Sequence, residues 1–501
     1  MLREGTLQHV RRHWAVFGGL VIALAIWCSV DVARRAVIDP TRPWLHMTDF
    51  SVYTEAGAAF FDGRAPYDVQ NIRGWKYVYP PLFALLVSPL SRFSSPIQAS
   101  VWFGISALLC FGIYFECRRL LAAVVTDSPR AQRLALWCGL AAGVTALFPA
   151  LNCLQRGQVG VALLYPLLWG TRLLISGRTP IQWFTGGVIL ALPVVIKLTP
   201  ILPVGCLVLC VMAGFLFSRS GRVDRSGPAR GERHSPEAAA SSIAAITRTA
   251  AGPMSLTAGV LFGGFLFALL IPSLCLGWQA NWSHLQTWYY RVATKVNHDR
   301  TDRFAENGCT PRNQSLTNAI HRFGNWAAFV TGRGPDDRIV DTEIPEIGKM
   351  PMDHWLVARG LQVARGAATL LLLAVMVALG RCGDRLSLGF ALGLACVATL
   401  VVSPVSRGHY FLLFVPAVMF GGLWMWERCS ARAASAIVVI PLTLCVLHYL
   451  ALNVLGRIGV LGIGTAIWFA AVCSLVLAHV KFSKAVQPQA EPVCPPSRIA
   501  A

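Results

Sequence analysis

The sequence predicts an all-α polytopic membrane protein, a bundle of about twelve bilayer-spanning helices with two long extracytoplasmic loops, on three observations. Of 501 residues, 55% are hydrophobic and only 14% are charged, where a soluble domain carries roughly 25% charged residues. Mean hydropathy is +0.55, the reverse of the low hydrophobicity that marks disorder. Apolar stretches recur along the whole length, each approaching the roughly 20 residues that a bilayer-crossing helix needs. Segments of about 10 residues with alternating polarity, the mark of an outer-membrane barrel, are absent from the sequence.

The first span is the apolar run from Trp14 to Val30, behind Arg11 and Arg12. It has a basic flank like a secretory signal but no small-x-small cleavage site, so it reads as an uncleaved helix. Further spans are expected at 98–116, 134–151, 157–175, 182–196, 198–217, 252–276, 362–380, 387–403, 409–426, 433–451 and 458–480. The segment 79–93 is apolar but short and punctuated by prolines, which suits a re-entrant or interfacial element. Charge supports that choice. With 79–93 not crossing, the basic loops 117–133, 218–250, 381–386 and 427–432 fall on the side of the N-terminus, and the short loops opposite hold only Arg156, Lys197, Arg407 and Arg457. The positive-inside rule then puts both termini in the cytoplasm. Residues 1–484 are expected to form one transmembrane domain, with outer loops at 35–97 and 277–361. The Ser-, Gly- and Arg-rich loop 218–250 and the tail 485–501 read as disordered.

The net charge of +20 follows from those cytoplasmic loops. No basic stripe with interleaved stacking aromatics accompanies it, so nucleic acid is not an expected partner. The 15 cysteines form no Cys-x-x-Cys pair and read as small buried hydrophobes. Cys153 and Cys309 both fall outside, which leaves a disulfide open. His284 and His298 have no partner at ligand spacing, and no Asp-x-Asp occurs, so neither a metal nor a cofactor is expected.

Sorted by side, the polar residues gather at the outer face: Asp49, Tyr53, Glu55, Tyr77, Tyr79, Asn152, Arg156, Gln158, Lys197, Asn313, Gln314, Ser315, His321, Arg322, Arg407 and His409. Polar groups at bilayer depth are costly and mark pathways or sites. Each also has a plainer reading. Asp49 suits a helix N-cap, Lys197 can snorkel to the headgroups, Gln158 can join helices, and Arg407 with His409 can anchor a tight loop. Trp278, Trp282, Trp288, Tyr289 and Tyr290 suit an interfacial belt or a sugar-stacking surface. Together, one carboxylate and several cations on one membrane face suit a lipid-linked anionic substrate. Cations hold a phosphate, and the carboxylate accepts a proton.

Several strings carry a resemblance. DFSVYTEAGAAFFDGRAPYD followed by YVYPPLFALLVSPL resembles the first outer loop of glycosyltransferase family 87, bacterial polyprenol-phosphate-mannose-dependent mannosyltransferases of the GT-C fold. LNCLQRGQVGVALL, VVIKLTPILP, PRNQSL and SPVSRGHYFLLFVPAV resemble later elements of that family, in the expected order. Arg407 and Gly408 depart from the pattern, which usually has Trp or Asp before the late His. The resemblance implies a GT-C-type bundle whose extracytoplasmic site moves a hexose, mannose for preference, from a polyprenyl-phosphate carrier to a lipid or glycan acceptor, inverting the anomeric centre. It implies Asp49 as general base.

On this basis Arg407, Lys197 and Arg322 are expected to neutralise the carrier phosphate. Tyr53, Glu55, Tyr79, Asn152, Gln158, Asn313, Gln314 and His409 complete the expected substrate-binding set, with Glu55 a candidate to share the work of Asp49. The expected setting is a bacterial inner membrane, with membrane lipids around the carrier's tail. A polytopic transporter, ligase or flippase of lipid-linked glycans is the alternative. A transporter would show halves of similar pattern, which this sequence lacks.

Overall fold

The computed structural model describes residues 48–70, 76–125, 128–220, 251–294, 313–320, 355–451 and 459–485, together with 22, 26, 28–37, 455 and 456. Among these residues the regular structure is helical, with two isolated antiparallel bridges, Gln70 to Lys76 and Asn313 to Arg407. The segment expected as the first outer loop, here the first outer segment, contributes α1 (Phe50–Phe61) and α2 (Pro81–Val87), the latter prolonged by a 3-10 turn, Ser88–Arg92. There follow α3 (Ser95–Val124), α4 (Pro129–Arg156), α5 (Gly160–Ser176), α6 (Pro180–Ile196) and α7 (Ile201–Ser220). Then come α8 (Ala251–Leu276), α9 (Trp278–Trp288), α10 (Trp355–Cys382) and α11 (Arg385–Val402). Last are α12 (Phe414–Arg428, entered through a 3-10 turn at Gly408–Leu413), α13 (Ala431–Leu450) and α14 (Val460–Ala485).

Eight of these helices are long and apolar enough to cross a membrane: α3, α4, α8, α10, α11, α12 with its entry turn, α13 and α14. The shorter apolar helices α5, α6 and α7 lie between them in sequence. Every expected span from 98–116 onward falls on a helix. The first is described only at 22, 26 and 28–37, helical through residue 35. Of the loop expected at 218–250, residues 218–220 belong to the end of α7; residues 221–250, the tail beyond residue 485, and Arg322 lie outside the described residues.

The basic segment 117–133, expected as a loop, is instead mostly helix. Arg118 and Arg119 lie in α3, and Arg130 and Arg133 in α4. The ends are supported locally. Ser128 caps α4 through the Ala131 N–H at 3.1 Å, and Glu116 meets Arg119 at 3.0 Å and Arg172 of α5 at 2.5 Å. The segment 79–93 is also resolved into shape. Pro80 and Pro81 open α2, whose seven residues rise about 10 Å, too little to cross a bilayer.

Burial ranks the helices. The apolar windows of α11 and of α12 with its entry turn are 89% buried, against 22% for α3 and 17% for α8. Helices apolar all round belong at the centre of a bundle, and α11 and α12 form that centre. At the periphery α6 and α8 approach backbone to backbone. A Cβ on Gly187 would stand 2.8 Å from the Val260 nitrogen, and one on Gly263 2.8 Å from the Val188 oxygen. In hydrocarbon, where apolar side chains gain nothing by leaving lipid, small residues that allow such contact hold helices together. Beyond the crossing, α8 opens into a π turn at Leu266–Leu270. There the Asn281 amide of α9 donates to the carbonyls of Ala268 (3.2 Å) and Leu269 (3.3 Å), fixing α9 to the C-terminal part of α8.

Gly187→Leu is expected to lower stability by about 1–3 kcal/mol, as overpacking does, and to lower the Tm measured in detergent. Gly104→Leu on α3, where a Cβ meets nothing within 4 Å, is expected to leave Tm unchanged.

Candidate active site

The site begins at the end of α4. Gly157 adopts φ +65°, the left-handed conformation that glycine takes without strain. It ends the helix and turns Gln158 back towards the first outer segment. A side chain there would also crowd Phe50 and Thr48, since a Cβ would lie 2.9 Å and 3.1 Å from their Cβ atoms. Through this gap the Asp49 N–H donates to the Arg156 carbonyl at 2.7 Å. The Gln158 amide donates to Asp49 Oδ2, and Arg156 Nε stands 3.8 Å from the same oxygen.

Asp49 occupies the N-cap position of α1, yet its side chain makes no cap hydrogen bond. The carboxylate, 4% exposed, instead faces Gln158 and Arg156. Its other oxygen, Oδ1, is buried with no hydrogen-bond partner among the described residues. α1 is held in place from behind. Thr54 donates to Gln98 of α3 at 2.6 Å, and Phe50 stacks on Trp102 at 4.8 Å. Glu55 is exposed and away from this carboxylate. Six residues at 100° each put it about 240° around the axis from Asp49, so the two do not share a face.

Lys197 follows the last residue of α6 and is turned inward rather than towards headgroups. Nζ donates to Tyr410 Oη at 2.5 Å and to Tyr79 Oη at 3.4 Å, and lies 4.0 Å from the Tyr410 ring centre. Tyr79 Oη in turn meets Tyr53 Oη at 3.3 Å. Tyr77 holds the turn that presents Tyr79, donating to the Pro80 carbonyl at 2.6 Å and accepting from the Ala84 N–H. Burial, followed by the neighbouring Tyr79 and Asp49, pushes the Tyr53 phenol well above its usual range, so it is a neutral hydroxyl at pH 7.

Arg407 is carried by pairing with the second outer segment. It bridges Asn313, whose Oδ1 accepts from the N–H groups of Ser406 (3.0 Å) and Ser315 (3.2 Å). Gln314 donates its N–H to Ser406 at 2.7 Å and its amide to Gly456 at 2.9 Å. Burial first, then the charge of Arg156, bring Arg407 down to about 10, still cationic at neutral pH. Beside it His409 is 1% exposed, and both ring nitrogens lack a hydrogen-bond partner among the described residues.

The geometry thus brings together Asp49, Tyr53, Tyr79, Gln158, Lys197, Arg407 and His409. Asn313 and Gln314 act behind Arg407 as supports. Asn152 falls inside the last turn of α4, half-buried and without a hydrogen bond to the cluster. Cys153 is a buried free thiol donating to the Gln158 carbonyl at 3.2 Å, and Cys309 lies outside the described residues. Tyr410 escaped the sequence reading of the site, and Arg156, gathered there with the polar residues, received no role in it. Arg156 carried a signal, standing one residue before the glycine that ends its helix. Tyr410 carried none beyond adjacency to His409. No group of three metal-ligating side chains occurs among the described residues.

The sequence pattern of glycosyltransferase family 87 matches residues 77–404. The chain belongs to glycosyltransferase family 87. It is a membrane glycosyltransferase, and membership removes the ground for the transporter, ligase and flippase readings. Within family 87 the chain is similar to the polyprenol-phosphate-mannose-dependent alpha-(1-2)-phosphatidylinositol mannoside mannosyltransferase of Mycolicibacterium smegmatis (strain ATCC 700084 / mc(2)155). Identity is 24% over 493 residues, 94% of this chain and 90% of that one. No solved structure matches. The family match holds Tyr79, Gln158, Lys197, Asn313 and Gln314 but starts after Asp49 and stops before Arg407 and His409.

Gly157→Ala is expected to cost about 1–2 kcal/mol in backbone strain alone. Since it displaces both Gln158 and Asp49, turnover is expected to fall by more than the loss of folded protein, compared at matched folded fractions by detergent size-exclusion chromatography.

Proposed function

We propose that this transferase moves mannose from a polyprenyl-phosphate carrier to a hydroxyl of a lipid or glycan acceptor, at the extracytoplasmic face and with inversion. The observation that carries the reading is a buried carboxylate with one oxygen uncommitted, beside three cations, Arg156, Lys197 and Arg407. Such a site addresses both charges that develop in the reaction. The transition state is oxocarbenium-like. Asp49 Oδ1 takes the proton of the acceptor hydroxyl as its oxygen bonds to the anomeric carbon. On the opposite face the bond from that carbon to the phosphate oxygen breaks, and its electron pair stays with the phosphate.

The diester carries one negative charge, and the released monoester moves towards two. Lys197 and Arg407 are aimed at that gain, and preorganised cations are worth most where charge increases in the transition state. Arg156 and Gln158 orient Asp49. Tyr53 and Tyr79 supply neutral hydroxyls for the sugar. The relative's name supports the carrier and the sugar, and suggests a phosphatidylinositol mannoside as the acceptor to try first. The lysine- and arginine-rich loops support cytoplasmic termini.

With polyprenyl-phosphate-mannose and phosphatidylinositol mannoside, wild-type membranes are expected to form a mannosylated lipid, and Asp49→Asn to lose about 10²–10⁴-fold in rate. Transfer persisting at the wild-type rate in Asp49→Asn would overturn the base assignment. For orientation, a cysteine placed at exposed Arg64 is expected to react with an impermeant maleimide from outside intact spheroplasts. Labelling only after lysis would reverse the topology.

A further inference from the structure

Tyr449, in the last turn of α13, has no part in the reaction as described above. Its ring stacks on Phe148 of α4 at 5.3 Å and 19°, with the His448 ring edge-on at 5.2 Å. Its hydroxyl is buried and has no hydrogen-bond partner among the described residues, a costly state that a bound polar group would relieve. The hydroxyl lies against Gly408, the residue between Arg407 and His409 in the chain. A Cβ on Gly408 would collide with the hydroxyl oxygen and stand 3.1 Å from the ring carbon that bears it. Gly408 does not have positive φ, so its backbone does not require glycine; the space does.

We propose that the Tyr449 hydroxyl binds the acceptor, hydrogen-bonding a ring hydroxyl of the sugar or cyclitol that is held beside Asp49. The inference rests on the transferase reading above. Two observations favour the acceptor over the carrier phosphate. Tyr449 stacks on Phe148 of α4, the helix that ends in Arg156, the ion partner of Asp49, whereas the amine of Lys197 meets Tyr79 of the first outer segment and Tyr410 of the entry turn. A phosphate facing Lys197 and Arg407 also gains little from a neutral phenol, while a ring hydroxyl finds in it both a donor and an acceptor.

The test uses the full chain in detergent with polyprenyl-phosphate-mannose and phosphatidylinositol mannoside, comparing wild type, Tyr449→Phe, Gly408→Ala and the double variant. Loss of one neutral hydrogen bond is expected to raise the acceptor KM about threefold to tenfold in Tyr449→Phe, with donor KM and kcat held within about twofold. Gly408→Ala is expected to raise the acceptor KM by pushing the hydroxyl aside, and to add nothing once Tyr449→Phe has removed that oxygen. An unchanged acceptor KM in Tyr449→Phe overturns the proposal, as does a rise in donor KM instead, or additive effects in the double variant. If Tyr449→Phe does not fold, Gly408→Ala decides alone, and an unchanged acceptor KM there overturns it. A wild type that transfers nothing between these substrates defeats the functional reading first, and the proposal falls with it.

Discussion

A carboxylate taken out of water must be compensated by hydrogen bonds and opposite charge. The organisation of the site follows from the way Asp49 meets that requirement. Compensation comes from a single turn of chain, 156 to 158, through the Arg156 carbonyl and guanidinium and the Gln158 amide. That turn exists because Gly157 accepts a left-handed conformation. The compensation is incomplete, since Oδ1 has no hydrogen-bond partner among the described residues. A structural ion pair would be expected to satisfy both oxygens.

Around this anchor two further sources of chain converge. The Lys197 amine lies against Tyr79, just ahead of α2 and bonded to Tyr53 of α1, and against Tyr410 of the α12 entry turn. Arg407 arrives through backbone pairing with Asn313. The outer segments are also braced against each other, by Arg291 to Asp68 at 2.9 Å and by the Trp288 indole donating to the Val78 carbonyl at 3.2 Å. None of these contacts is large. Collectively they orient groups drawn from sites hundreds of residues apart, which is where an enzyme of this kind gains its rate.

Much of this was legible in the sequence, for a physical reason. A bilayer admits only segments that satisfy their own backbone, so hydropathy reports helices directly, and the spans from 98 onward all fall on one. Helix ends were less legible. α3 and α4 continue past the apolar stretch because charged turns remain helical once capped and ion-paired, as Ser128 and Glu116 show. In the site, residue types exposed Asp49, Lys197 and Arg407, since such groups are conspicuous among apolar neighbours. Geometry did not follow from type. Glu55 looked equivalent to Asp49 but lies on the wrong side of α1, Asn152 stands inside a helix, and Tyr410 and Tyr449 are ordinary aromatics until their hydroxyls are located.

The bridge between Asn313 and Arg407 has a consequence for biosynthesis. Asn313 Oδ1 and the Ser406 N–H it accepts are 93 residues apart, with α10 and α11 between them. A translocating chain must therefore emplace both helices before Arg407 has anything to pair with, and closing so long a loop is repaid only at that late stage. Until then the nascent chain presents Asp49 and Lys197 without their third cation. On the proposed reading such a precursor would hold a carrier phosphate weakly.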